Sequence, residues 1–259
     1  MQTKLLTPKG IRVWQGYRSQ KYNDDTDGFL EQLGQIFIPA TVQLMMPLGL
    51  KMYYPAIVPQ RVISPPITLP DEIALVGYPS AKNYDEASHH SVAGRAYSSL
   101  HETVFNFSPS SIPTSFSSFP CAYSDHAQFA WKTPYYFSGE AIDWHACYVG
   151  VIIWTWPEGS DSDHYALGMM TLKTCDESVS RSQNLFEVIT VLQKEYGILW
   201  FASDTLHWPD RILHTLSDLQ CSVVMKAFHD IVNISPLFSE NDPGIDAAAG
   251  QALDVRLST

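Results

Sequence analysis

Glu72-Ile-Ala-Leu-Val-Gly-Tyr78, followed by Pro79 and the segment Ser80 to Phe105, is the stretch that sets the fold class. Ile73 and Leu75 alternate with Ala74 and Val76, the period of two that a strand requires. Beyond Ser80 the period changes. Ala93, Ala96, Tyr97, Leu100 and Val104 recur at helical spacing and make one apolar stripe. A strand that hands over to an amphipathic helix is a building block of mixed α and β domains.

Upstream, Gly10 to Ser19 reads as a strand, with Ile11, Val13 and Tyr17 on one face and Trp14 on the other. Asn23 to Asp27 is rich in helix-capping residues, and Phe29, Leu33, Ile36 and Phe37 follow at helical spacing. Pro39 is expected to kink or end that helix. Leu50 to Val58 reads as a strand that Pro55 confines to an edge or bulge. Pro59 to Pro70 carries four prolines and reads as a loop.

Downstream, Asn106 to Pro120 holds six serines and three prolines, a composition that cannot hold a core helix or strand. Trp144 to Trp156 is apolar on both faces and reads as a central strand, with Phe129 to Phe137 as another. Pro157 to His164 is a turn, and Tyr165 to Thr174 is expected to return as its hairpin partner. Leu185 to Tyr196 is expected to be a helix closed by Gly197 as a left-handed cap. Ile198 to Thr205 reads as a strand and Arg211 to Val232 as a long helix.

The expected class is therefore α+β: ferredoxin-like β-α-β-β-α halves, with mixed or antiparallel sheets and helices on one face. The expected division is a first half at 1–105, a Ser/Pro-rich linker at 106–124, a second half at 125–238 and an acidic, Ala-rich tail at 239–259.

Ile73 to Ser80, Tyr84-Asp-Glu-Ala87 and Ser91 to Phe105 together resemble the strand-helix unit of the dimeric α/β-barrel superfamily, which includes the antibiotic-biosynthesis-monooxygenase-like domains. The resemblance covers the first 105 residues or so and rests on element order. It implies a β-α-β-β-α-β topology, a pocket between sheet and helices, and sheets that close into a barrel across two domains. Members include cofactor-independent oxygenases and haem-binding enzymes. No catalytic set is general to the group, so none is carried over. The second half, with its expected leading hairpin, departs from the pattern.

The net charge of −11 argues against a phosphate backbone as partner, and the basic residues form no run. Gln32 to Leu50 is uncharged and long enough to span a bilayer, but its glutamines and prolines favour a core helix running into a strand. Met1 to Gly10 lacks the apolar core of a signal peptide. A cytoplasmic, acidic protein is expected. The cysteines Cys121, Cys147, Cys175 and Cys221 form no CxxC pair and read as buried thiols.

The sequence holds no GxGxxG, P-loop, GxSxG or HExxH motif. His90, Tyr97 and His101, seven and four residues apart, fall on one stripe beside the apolar face of the helix expected over Ser80 to Phe105. Histidine can act there as base or acid, and a pair of half-exposed helix histidines fits the same spacing. Asp204 and His207 lie where a strand hands over to a helix, a common place for site residues and equally for helix caps. Trp154 and Trp156 would line an apolar pocket or belong to ordinary core. Glu158, Asp161, Asp163 and His164 lack calcium-loop spacing, so no metal site is expected, and nothing in the sequence requires a cofactor.

Two functions follow. The first is a small-molecule-binding protein, an oxygenase or isomerase acting on an apolar or aromatic substrate, with His90, Tyr97 and His101 in its pocket. The second is a non-enzymatic inhibitor or immunity-type protein whose acidity attracts a basic protein partner. A homodimer is compatible with either.

Overall fold

The β-branched and aromatic runs of this chain form sheets buried on both faces, which is why many of its strands read as unbroken apolar stretches rather than as alternation. A computed structural model describes residues 6–58, 68–107, 119–124, 128–137, 141–159, 163–205, 207–228 and 256–257. The chain divides into two compact units. The first takes its described residues from Met1–Gln60 and Leu69–Phe119, the second mainly from Pro120–His229.

In the first unit, β1 (Ile11–Gly16), β2 (Met52–Ile57) and β3 (Glu72–Gly77) form an antiparallel sheet in the order β1-β3-β2. Trp14 lies opposite Ala74, and Pro55 also lies opposite Ala74 from the other side. β2 is an edge strand of this sheet, the place where a proline's missing donor is tolerated. Between β1 and β2 runs one helical stretch: α1 (Thr26–Glu31), a π-helical turn at Gln32–Phe37, and α2 (Ile38–Met45). Asp25 caps α1 by accepting from the Gly28 amide at 2.9 Å. Pro39 does not end the helix; it sits in the first turn of α2, directly after the wider π-helical turn.

After β3 come α3 (Ala81–Asp85), a second π-helical turn at Glu86–His90, and α4 (Val92–His101). Ser91 leaves the helix, with φ −91° and ψ 152°, and its hydroxyl accepts from the Gly94 amide to restart it. The helices cover the sheet face that carries Trp14, Tyr53 and Ala74, and Phe29, Leu33, Phe37, Val104 and Phe105 fill the space between. Arg18 ties the end of β1 to the residue before β3: its Nε lies 2.6 Å from the Asp71 carboxylate.

In the second unit, β6 (Tyr148–Thr155), α5 (His164–Arg181), β7 (Leu185–Leu192), β8 (Tyr196–Ser203), α6 (Asp210–Asp218) and β9 (Ser222–Phe228) run β-α-β-β-α-β. Their strands lie in the order β9-β6-β8-β7, all antiparallel, which is the ferredoxin-like order. β4 (Cys121–Ala122), β5 (Pro134–Phe137) and β10 (Arg256–Leu257) extend the sheet at its edges.

Three sequence expectations are corrected here. Tyr165 to Thr174 is no hairpin partner; it lies in α5, whose buried Gly168, Thr171, Leu172, Cys175 and Ser178 keep helical spacing. Leu185 to Leu192 is strand, not helix: its Val188-Ile189-Thr190-Val191 run is β-branched and buried. Arg211 to Val232 is not one helix, because α6 stops at Asp218 and Gln220 turns the chain with φ 58° into β9. The β-α-β-β-α order of the first unit is thus matched in the second.

Three of the four cysteines also differ from the expected burial. Cys175 is buried, Cys147 and Cys221 are half-buried, and Cys121 is exposed. Residues 59–67, most of the Ser/Pro-rich stretch (108–118), Asp161, and nearly all of the 239–259 tail lie outside the described residues. Among the described residues no helix is long and apolar enough to cross a membrane.

Candidate functional site

Two residues break the apolar pattern of the first sheet. Arg12 and Glu72 sit inside β1 and β3, yet both are buried. A buried charge must find partners or change its protonation. Glu72 accepts from the Trp14 indole Nε1 at 2.8 Å and from the Tyr53 hydroxyl at 3.0 Å. These bonds favour the carboxylate, but burial outweighs them and pushes the Glu72 carboxyl up to about 7. The Arg12 guanidinium lies over the Trp14 ring at 5.4 Å and over the Tyr84 ring at 5.1 Å.

A cavity of about 50 Å³ opens between this sheet face and the helices. Arg12, Trp14 and Tyr53 line it from the sheet, and Thr41, Tyr97 and His101 from α2 and α4. Tyr97 and Thr41 share a hydrogen bond of 2.7 Å between their hydroxyls, which joins the two helices across the cavity wall. The His101 ring is enclosed by Trp14, Phe37 and Tyr97, with centroids 5.2, 4.7 and 4.7 Å away.

His101 Nδ1 lies 3.1 Å from the Tyr97 carbonyl. A carbonyl only accepts, so Nδ1 carries the proton in that bond and Nε2 keeps the lone pair. Burial pushes the imidazole down to about 4, and the Arg12 charge adds to the shift. At neutral pH the cavity therefore holds a fixed cation and a neutral imidazole, and behind Tyr53 lies a carboxyl that burial has raised to about 7.

The residues singled out in the sequence do not all meet. Tyr97 and His101 line the same cavity. His90 does not: it lies before the break at Ser91, its side chain is 71% exposed, and it faces Asp85 at 3.4 Å. His89 bonds the same carboxylate at 2.8 Å, and these histidines hold Asp85 below its ordinary value. Trp154 and Trp156 are buried in the core of the second unit, packed edge to face at 5.8 Å. Asp204 is exposed at the end of β8, and His207 lines a groove on the second unit. Among the described residues no cluster of histidine, cysteine and carboxylate groups could hold a metal ion.

Arg12, Tyr53 and Glu72 escaped the reading of the sequence, although a signal was there. Each charged residue interrupts an apolar strand, and a strand buried on both faces admits a charge only for a reason. What brings Glu72 to Trp14 is the β1–β3 register across 58 residues, which local spacing does not reveal.

No family model matches the chain, and no curated protein matches it. Among solved structures, it is similar to two proteins that carry the name "putative monooxygenase". The one from Fusobacterium nucleatum is 7% identical, with 80% of this chain and 79% of that chain covered and a TM-score of 0.36. The one from Lactobacillus acidophilus is 6% identical, with 84% and 91% covered and a TM-score of 0.33. An anthrone oxidase-like protein is 12% identical, with 97% and 86% covered and a TM-score of 0.28.

Proposed function

We propose that the first unit binds a small carbon acid or enol and removes a proton from it, the opening step shared by cofactor-independent oxygenases and isomerases. The observation that carries this reading is His101: a neutral imidazole with its Nδ1 committed to a carbonyl, in an aromatic wall that also holds the Arg12 cation. In the step, a C–H or O–H bond of the guest breaks and an N–H bond forms at Nε2. The electron pair stays on the guest as an enolate, and Arg12 stabilises it.

The imidazole is a weak base while no anion stands beside it. An enolate formed in the cavity supplies the missing counter-charge and raises its proton affinity. The cavity of about 50 Å³ is far below the roughly 150 Å³ that encloses a benzene ring, so the guest it holds has only a few heavy atoms. Tyr97 would orient it through its hydroxyl.

Nitromethane is a suitable probe, since its carbon is acidic, its anion is a close analogue of an enolate, and the molecule has only a few heavy atoms. In D2O the protein should speed deuterium uptake at that carbon over buffer alone. His101→Phe and Arg12→Met should each remove most of the acceleration, in the range of about 10²–10⁴-fold expected of a positioned base. Uptake at the buffer rate, or equal rates in wild type and both variants, would overturn the reading.

A further inference from the structure

The second unit carries a groove of about 450 Å³, within the range of small-molecule sites and built quite differently from the cavity of the first. The end of α5 supplies Arg181 and Ser182, and the start of α6 supplies Arg211, with His207 and Trp208 on the segment before it. Among the described lining residues, Asp210 is the one carboxylate. In a chain of net charge −11, a wall with two guanidinium groups is an exception.

Glu177 arranges that wall from outside the lining. Its carboxylate bonds Arg211 at 2.6 Å and lies 3.9 Å from Arg181. Each guanidinium has five N–H donors, so one shared carboxylate leaves donors on both. The Ser182 hydroxyl oxygen accepts from the Asn184 and Leu185 amides at 3.1 and 3.0 Å, so its own proton remains to be given. Trp208 packs edge to face on Phe201 at 5.4 Å, which fixes its ring beside these donors. The N-cap of α6 is Pro209, and no side chain caps that helix start.

We infer that this groove binds a small organic oxyanion: a carboxylate or phosphate head on Arg181, Arg211 and Ser182, with a flat apolar body against Trp208. Arginine suits such heads because its planar fork bonds two oxygens at once. The assignment is independent of the site in the first unit.

Titration at low salt with phenyl phosphate, benzoate and benzyl alcohol, followed by tryptophan fluorescence, tests it. At least one anion should bind saturably with a Kd near or below about 1 mM, and which one binds tighter identifies the head group. Benzyl alcohol should not bind. Arg211→Met should weaken binding about tenfold or more, Trp208→Phe should remove the fluorescence change, and added salt should weaken binding. Glu177→Gln should strengthen binding several-fold, because it releases Arg211 from a competing carboxylate. Equal binding of alcohol and anions, no saturation for either anion up to about 10 mM, or an Arg211→Met protein that binds as wild type does would overturn the inference.

Discussion

Glu72 and His101 titrate against each other across one pH range. The folded protein holds the Glu72 proton more tightly than the unfolded chain, at about 7 against 4.5. The stability this contributes is complete below pH 4.5 and is lost as pH rises to 7. His101 runs the other way, at about 4 folded against 6.5 unfolded. Its contribution is complete above pH 6.5 and is lost as pH falls to 4. The two slopes oppose each other between 4.5 and 6.5. Glu72→Gln removes one of them, so the variant should gain stability relative to wild type as pH rises from 4.5 to 7, by on the order of 3 kcal/mol. Urea melts of the two proteins at several pH values check this; parallel profiles would refute it. His101 was legible in the sequence because helical spacing places it beside the apolar stripe. Glu72 was not, because its partner Trp14 comes from a distant strand.

At the scale of elements, Gly197 shows where local reading fails and why. A glycine after Leu185 to Tyr196 fits a helix C-cap in sequence. In the fold it lies within β8, opposite Trp154 on β6, and a Cβ there would run into the Trp154 indole. The glycine makes room for a buried ring; it does not supply a left-handed turn. Gly197→Ala should therefore destabilise the second unit by about 1–3 kcal/mol, the range for overpacking a tight core. An unchanged denaturation midpoint would contradict this. The strand β7 is ambiguous in sequence for a related reason. A short apolar run buried on both sides has no period to separate strand from helix. Only its β-branched residues and the tight turn to β8, closed by Gln193 N–H to the Tyr196 carbonyl at 2.7 Å, settle it.

At the scale of the whole molecule, the α+β class and the β-α-β-β-α order of the first unit were legible, since strand and helix periods alternate clearly there. The second unit was harder, because β6, β7 and β8 are apolar throughout. Sheet order sets where the backbone should be most protected. β3 lies between β1 and β2, and β6 and β8 each have a strand on both sides. Amides of β3, β6 and β8 should exchange most slowly with solvent, and those of β2 faster. Hydrogen exchange followed by mass spectrometry reads this directly; protection of β2 equal to that of β3 would contradict the first sheet's order. The chain's charge of −11 argues against nucleic acid but does not choose a ligand. The proposed sites rest on Arg12 in one unit and on Arg181 and Arg211 in the other.

His101 is the proposed base, buried and neutral. Nitrogen-15 NMR of histidine-labelled protein tests it, with His101→Phe assigning the signal. The Nδ1–H tautomer is expected from pH 5 to 8, with a shift toward imidazolium when nitromethane is added. An imidazole that titrates near 6.5 and ignores nitromethane would contradict this.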